Sequence, residues 1–179
     1  MISTNSFLAS TALPAVRLFT MKSIREVVDK QFQELIRGSV EFIRIVPANL
    51  LYKTPEIGSG SPWNGTVGET LLRSAATVEQ TFGGLTTNLW DDPFEWTLPE
   101  NLTSPAKIED YLYEVDRSRE RCFASISADD ELYKRIALPS GASVELIEVL
   151  LAAYGKSCRQ QGIAFHAFRM LSGAKLPEI

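Results

Sequence analysis

The sequence is poor in the residue types from which disulfides, thiol sites and transition-metal sites are built. It contains two cysteines, Cys122 and Cys158, and a single histidine, His166. Two cysteines are too few for a disulfide framework and are typical of a cytoplasmic protein. On one helix, the offset from Cys158 to His166 is about 12 Å of rise and roughly 80° of rotation. The two side chains therefore cannot share one metal ion or form a catalytic dyad, and we expect no metal and no cofactor.

Positive charge and long apolar runs are also scarce. Lysine and arginine number 18 against 22 acidic residues, a net charge of -4, which argues against a nucleic-acid partner. No apolar run approaches the roughly 18 residues of a membrane-spanning helix, so we expect no membrane association. The glycine-rich nucleotide-binding signatures and the Gly-x-Ser-x-Gly motif are absent. An apolar fraction of 45% indicates an ordinary globular domain.

Residues 1–22 precede the first helical pattern. Up to residue 20 the segment is apolar with Arg17 as its only charge, and it lacks the basic start of a signal peptide. We interpret it as a non-cleaved extension. It either precedes a true start at Met21 or packs as an arm on the rest of the chain or on a second subunit. Residues 23–179 then form one domain.

Four segments carry the apolar periodicity of amphipathic helices, and each has a start or stop signal at its ends. They are residues 23–46 before Pro47, residues 66–84 after a Thr66–Glu69 capping box and up to Gly83-Gly84, a third beginning at Ser104-Pro105, and residues 143–171 before Gly173. Charged residues on the third are interpreted as a solvated face, with Glu114–Arg117 and Asp116–Arg119 spaced to pair. Only residues 44–46 and the stretch near Ile136 could form strands, and neither has a partner. The predicted fold is therefore an all-α four-helix bundle without a sheet.

Two of these helices resemble those of the DinB/YfiT-like proteins. The likeness lies in residues 63–79, where Trp63 precedes the cap and Gly68-Glu69-Thr70-Leu71-Leu72 follows it, and in residues 150–163 with the ending 168–173 and Pro177. It covers residues 22–177 in loose hydrophobic patterns. The resemblance implies an up-down-down-up four-helix bundle, often a homodimer. Related members include metal-dependent thiol transferases.

The departure from that family concerns its metal ligands. Members that hold a metal place one histidine on the second helix and a His-x-x-x-His pair on the fourth. Matching the motifs puts Ser74, Gly155 and Arg159 at these positions, and none of them is a competent ligand for zinc or nickel. The resemblance therefore implies that the metal site is lost, and this loss argues against an enzymatic function.

The former site provides candidate residues for another role. Arg159 either pairs with a carboxylate such as Asp116 or Glu120, or binds an anionic small molecule in a residual pocket. The full candidate set is Ser74, Tyr154, Gly155, Cys158 and Arg159. Three functions stay open: binding of a small anionic molecule, a structural module that forms a homodimer, and a metal-independent thiol-transferase-like enzyme.

Aromatic residues crowd the connection between the second and third helices. Trp90, Phe94 and Trp96 lie there among acidic residues. One interpretation is a packed cap over an end of the bundle, because tryptophan buries a large area. The alternative is a ligand lid or a dimer contact.

Overall fold

Long helices make up most of the chain. The structure is a computed structural model, and it describes residues 23–55, 65–93, 97, 99–174 and 176. The predicted N-terminal extension, Trp63, Phe94, Trp96 and Pro177 lie outside these residues. The helices are α1 (Ile24–Ile45), α2 (Val67–Thr87), α3 (Pro105–Ser125) and α4 (Leu146–Ser172). Within the described residues, none of them contains a stretch apolar enough to cross a bilayer.

Three of the helices begin at capping residues, of which the sequence indicates Thr66 and Ser104. Ser23 and Thr66 each form a capping box with the glutamate three residues later, and Ser104 accepts a hydrogen bond from the Lys107 amide. These side chains satisfy amides that have no partner inside the helix. The end predicted for α2 at Gly83-Gly84 is wrong. The helix continues to Thr87, and Asn88, at φ 57°, provides the left-handed residue that stops it.

Contacts between helices fix their directions. The start of α1 meets the end of α3, where the Arg25 guanidinium donates to the Phe123 carbonyl at 3.1 Å. The end of α1 meets the start of α3, where Arg44 and Glu109 lie 2.6 Å apart. These two helices are therefore antiparallel.

The other two directions follow in the same way. Tyr111 near the start of α3 donates to Glu79 of α2. Later residues of the same helices, Phe123 and Phe82, make an edge-to-face ring contact. Helices α2 and α3 are therefore parallel. Helices α1 and α4 are also parallel, because Gln31 contacts Tyr154 and the later Phe42 contacts Phe168. The result is an up-down-down-up bundle, which confirms the predicted fold class.

A short hairpin precedes α4, and here the prediction of a bundle without a sheet is wrong. Strands β1 (Arg135–Ala137) and β2 (Ser143–Glu145) pair antiparallel, with Ile136 opposite Val144. Gly141, at φ 83°, allows the tight turn between them. The ladder extends to the Leu146 amide, which donates to the Lys134 carbonyl at 3.0 Å. Residue 143, predicted to begin the last helix, is therefore in a strand, and α4 begins three residues later.

Aromatic rings fill the centre of the bundle. Phe32, Phe82 and Phe123 come from three helices, and their ring centroids lie 5.0 to 6.2 Å apart. Tyr154 of α4 packs edge-on against Phe32 at 5.4 Å. Each such pair contributes about 0.5–1.5 kcal/mol beyond its buried area. This cluster holds α1, α2, α3 and α4 around one core and fixes the faces that α2 and α4 present to each other.

Candidate functional site

Two buried serines join α2 to α4 at the position where the lost metal site was predicted. Ser74 Oγ donates to the Ser157 carbonyl oxygen at 2.8 Å, and Ser157 Oγ donates to the Ser74 carbonyl oxygen at 3.0 Å. Both residues are at most 2% exposed. The exchange needs two small side chains, because only then do the two helix backbones approach closely enough for each hydroxyl to reach a carbonyl oxygen of the other helix.

The structure does not bring Gly155 and Arg159 to Ser74. Both are exposed, and each lies two residues from Ser157, which is about 200° of helix rotation and therefore the opposite face. The predicted grouping of Ser74, Gly155 and Arg159 is wrong for this geometric reason. On the buried face at this level of α4, Ser157 is followed four residues later by Gln161, which is also buried.

The ion pair considered for Arg159, with Asp116 or Glu120, is not formed. Arg159 makes no ion pair with any described residue, and Asp116 binds Arg119 instead, at 2.6 Å. Arg119 also contacts Asp29 of α1, and its own side chain is 4% exposed. Burial lowers the pKa of Arg119, but the hydrogen bond and charge of Asp116, together with Asp29, outweigh it and leave the pKa raised. The predicted solvated face is therefore wrong at Arg119, where the charge is buried and ties α3 to α1, and it holds at the exposed Arg117–Glu114 pair.

Tyr154 and Cys158 lie together on the side of α4 that faces α1. The Tyr154 hydroxyl donates to Gln31 Oε1 at 3.1 Å. Burial raises the pKa of Tyr154, and its hydrogen bond with Cys158 raises it further. Neither residue lines the cavities described next. Their role in ligand binding stays a prediction.

A cavity of about 600 Å³ opens between α2, α4 and the hairpin, and we call it the hairpin cavity. Its walls are largely apolar, with Trp90 at one side, Leu138 and Val144 from the hairpin, and Ala152 and Ala153 from α4. Six of the thirteen lining residues are polar or charged, three of them on α2. They are Thr77, Gln80, Thr81, Ser140, Glu148 and Lys156.

A second, smaller cavity adjoins the first, and we call it the polar cavity. Its volume is about 300 Å³, and it shares Thr77, Gln80 and Lys156 with the hairpin cavity. Its further lining is almost entirely polar or charged. It consists of Arg73, Ala76, Asp92, Thr97 and Gln160. Lys156 therefore stands at the junction of an apolar space and a polar one.

Trp90 is held in place against α2 by a glycine and two hydrogen bonds. A Cβ atom at Gly84 would lie 2.3 Å from the Trp90 ring, so only glycine allows this stacking. The indole N–H donates to Asn88 Oδ1 at 3.1 Å, and the Gln80 amide donates to the Trp90 carbonyl at 2.8 Å. Of the two interpretations of this connection, the contacts of Trp90 fit a packed cap that also forms a wall of the hairpin cavity.

The described residues contain no group of three histidine, cysteine, aspartate or glutamate side chains that could hold a metal ion. His166 is exposed on α4. The sequence interpretation missed Lys156 and the hairpin wall. The only signal for the wall was the turn-forming run Pro139-Ser140-Gly141, which would have suggested a hairpin.

Comparisons with known proteins bear on the fold. No protein-family model and no curated protein matches the sequence. The structure is similar to a DinB-like protein from Bacillus cereus, with 14% identity and a TM-score of 0.64 over 86% of this chain and 96% of that one. It is also similar to a conserved protein from Enterococcus faecalis, with 13% identity and a TM-score of 0.65 over 86% of this chain and 100% of that one. The chain therefore has the four-helix fold of the DinB-like proteins.

Proposed function

We propose that this protein binds a small molecule with an apolar body in the hairpin cavity. The observation that carries the proposal is the cavity itself, about 600 Å³, in which apolar walls from Trp90, the hairpin and α4 combine with six polar or charged residues. Ligand sites in proteins have volumes of about 300–1,000 Å³ and this same division between apolar walls and placed polar groups. The cavity lies between α2, α4 and the hairpin, whereas the sequence interpretation expected a pocket beside Ser74, Gly155 and Arg159.

The test uses N-phenyl-1-naphthylamine, an uncharged probe that fluoresces when it enters an apolar site. Ala152 lines the hairpin cavity, and an Ala152→Trp substitution would fill it. Gly162 lies ten residues further along α4, outside the lining of the cavity, and a Cβ there meets nothing within 4 Å, so Gly162→Trp is the matched control. We expect wild type and Gly162→Trp to bind the probe equally, and Ala152→Trp to bind it about tenfold more weakly, a loss of about 1.4 kcal/mol.

A third variant, Gly155→Trp, tests the location that the family resemblance implied. If Gly155→Trp abolishes binding and Ala152→Trp does not, the ligand sits beside Gly155 and Arg159. If Ala152→Trp binds as wild type does, the hairpin cavity is not a binding site. Thermal shifts with a panel of small carboxylates and alcohols would then extend a positive result to natural ligands.

A second candidate function is a homodimeric module, which one surface favours. Val27 on α1 and Leu151 on α4 are 45% and 55% exposed. Each lies one turn before the Gln31–Tyr154 contact that joins these parallel helices, so they occupy the same end of one face. Size-exclusion chromatography with light scattering tests this candidate. Wild type should be a dimer and Val27→Lys with Leu151→Lys a monomer, and a monomeric wild type would exclude it.

A further inference from the structure

We infer that the ligand of the hairpin cavity carries an anionic group, and that Lys156 and Arg73 recognise this group at the junction with the polar cavity. The inference rests on the proposed function and names the chemical class of its ligand. That class is an elongated molecule with an apolar body and one terminal carboxylate, sulfonate or phosphate.

Lys156 occupies the place where the two cavities meet. It is exposed on α4 and lines both of them. A molecule that fills the hairpin cavity and extends to the polar cavity therefore places its end beside the Lys156 ammonium. The apolar body would contact Trp90 and the hairpin, and the head group would leave the apolar walls at Lys156.

The charged residues of the polar cavity are mainly positive. Arg73 and Lys156 are two cations against the single carboxylate of Asp92. Neither cation forms an ion pair with a residue in the described part of the chain, whereas other arginines do, namely Arg37, Arg44 and Arg119. The net positive charge is local, because the whole chain carries a net charge of -4. An anion gains from both cations here, and Gln160 offers an additional donor.

Glu148 gives the bound molecule a preferred orientation. It lies at the other end of the hairpin cavity, eight residues before Lys156 on α4, which is about 12 Å along the axis. A carboxylate at that end repels an anionic head group. The two charges of α4 therefore favour a single direction, with the head group at Lys156 and the apolar end towards Glu148.

The experiment compares two ligands that differ only in their head group. Decanoate below its micelle-forming concentration and decanol below its solubility limit would each displace N-phenyl-1-naphthylamine from the full-length protein. We expect decanoate to bind roughly threefold to tenfold more tightly than decanol. We expect this preference to fall with added salt because the head group is partly exposed.

Substitutions assign the preference to its residues. Arg73 and Lys156 are exposed, so Lys156→Gln and Arg73→Gln should leave the fold intact, as circular dichroism would verify. Each should weaken the binding of decanoate much more than that of decanol, so that most of the preference for decanoate is lost. Arg159→Gln is the matched control, because Arg159 is an exposed cation of the same helix outside both cavities, and it should keep the full preference.

The outcomes separate this inference from the proposed function. If decanol and decanoate displace the probe equally well in wild type, the hairpin cavity binds apolar molecules and the inference of an anionic ligand is wrong. It is also wrong if the Lys156→Gln, Arg73→Gln double variant retains the preference. If neither ligand nor the probe binds to wild type, the proposed function and the inference fail together.

Discussion

Ser74 and Ser157 exchange hydrogen bonds in both directions, each hydroxyl donating to the other residue's carbonyl oxygen at 2.8 and 3.0 Å. The exchange pins α2 against α4 at one level of the bundle. The two cavities lie beside this contact, because Arg73 and Thr77, on either side of Ser74, line them. The serine pair therefore sets the spacing of the two helices that form the cavity walls.

Removing either hydroxyl should destabilise the protein moderately. Ser74→Ala and Ser157→Ala should each lower the free energy of unfolding by about 1 kcal/mol, because each loses one buried hydrogen bond. The double variant should lose less than the sum, since the two bonds depend on the same helix spacing. Urea unfolding measures all three, with Ser118→Ala as control, whose hydroxyl bonds only within α3. Strict additivity would contradict a coupled pair.

The buried Arg119 should be far more sensitive than its exposed neighbour. Arg119→Ala would leave Asp29 and Asp116 without this cation. Because their side chains are 35% and 29% exposed, water would partly solvate them, and we expect a cost of about 1–3 kcal/mol. Arg117→Ala should change the unfolding free energy by less than about 1 kcal/mol, since the Arg117 side chain is 60% exposed. Equal effects of the two substitutions, measured by chemical unfolding, would show that the Arg119 cluster does not hold α1 to α3.

Asp129 should make the stability of the protein depend on pH in the acidic range. Its carboxylate accepts hydrogen bonds from the Arg25 and Ile24 amides at 2.9 and 2.8 Å, and these lower its pKa below the ordinary 3.8. A lowered pKa in the folded state gives stability that is present above the unfolded pKa and is lost as the pH falls through the folded pKa.

Thermal melts of Asp129→Asn should therefore differ from those of wild type near neutral pH. The difference should begin to shrink only below about pH 4 and should vanish once the pH is below the lowered pKa of Asp129. Asp130→Asn serves as the control, because Asp130 is exposed and caps no helix. A difference between wild type and Asp129→Asn that stays constant down to about pH 2 would contradict the capping role.

Two glycines should respond oppositely to alanine. Gly84→Ala places a methyl group 2.3 Å from the Trp90 ring, so the indole must leave α2, and its emission should shift to the red. Gly155→Ala meets no atom within 4 Å and should stabilise α4 by up to about 1 kcal/mol, because alanine restricts the unfolded chain. Thermal melts and tryptophan fluorescence measure both. Unchanged emission in Gly84→Ala would show that Trp90 does not depend on this glycine.

The two cysteines should differ in reactivity. Burial and the charge of Asp29 raise the pKa of Cys122 to about 12, so its thiol stays protonated at about pH 8 and reacts slowly. Cys158 is half-buried. Iodoacetamide on the native protein should therefore modify Cys158 first, and a Cys158→Ser variant should be nearly inert until denatured. Preferential modification of Cys122 under native conditions, seen by peptide mass spectrometry, would contradict this order.

Helix starts could be predicted because their signals are local. The boxes at Ser23 and Thr66 depend on residues three positions apart, so the sequence alone contains the whole interaction. The end of α2 could not be predicted in this way. Gly83-Gly84 has the composition of a helix stop, but Gly84 lies within the helix and packs against the Trp90 ring, which lies beyond the helix end. The distant contact overrides the local preference.

The hairpin was missed because each strand has three residues, too few for an alternating pattern to stand out from a helix start. Ser74, Gly155 and Arg159 do not face one another, for a geometric reason, while ligand binding by the candidate residues stays a prediction. A shift of two residues along a helix turns a side chain by about 200°. Gly155 and Arg159 therefore stand outside, and Ser157 takes the inner position. Charge alone also gave no indication that Arg119 is buried, since this depends on Asp29 from another helix.

The direct passage from β2 into α4 constrains how a molecule could reach the hairpin cavity. No linker separates Glu145 from Leu146, and the Leu146 amide still belongs to the strand ladder, so the hairpin wall and the α4 wall behave as one piece. Trp90, in contrast, is carried by the connection that leaves α2. A ligand wider than the entrance of the hairpin cavity would therefore enter on the side of Trp90. Its association rate would depend on how readily the indole ring moves away from Gly84.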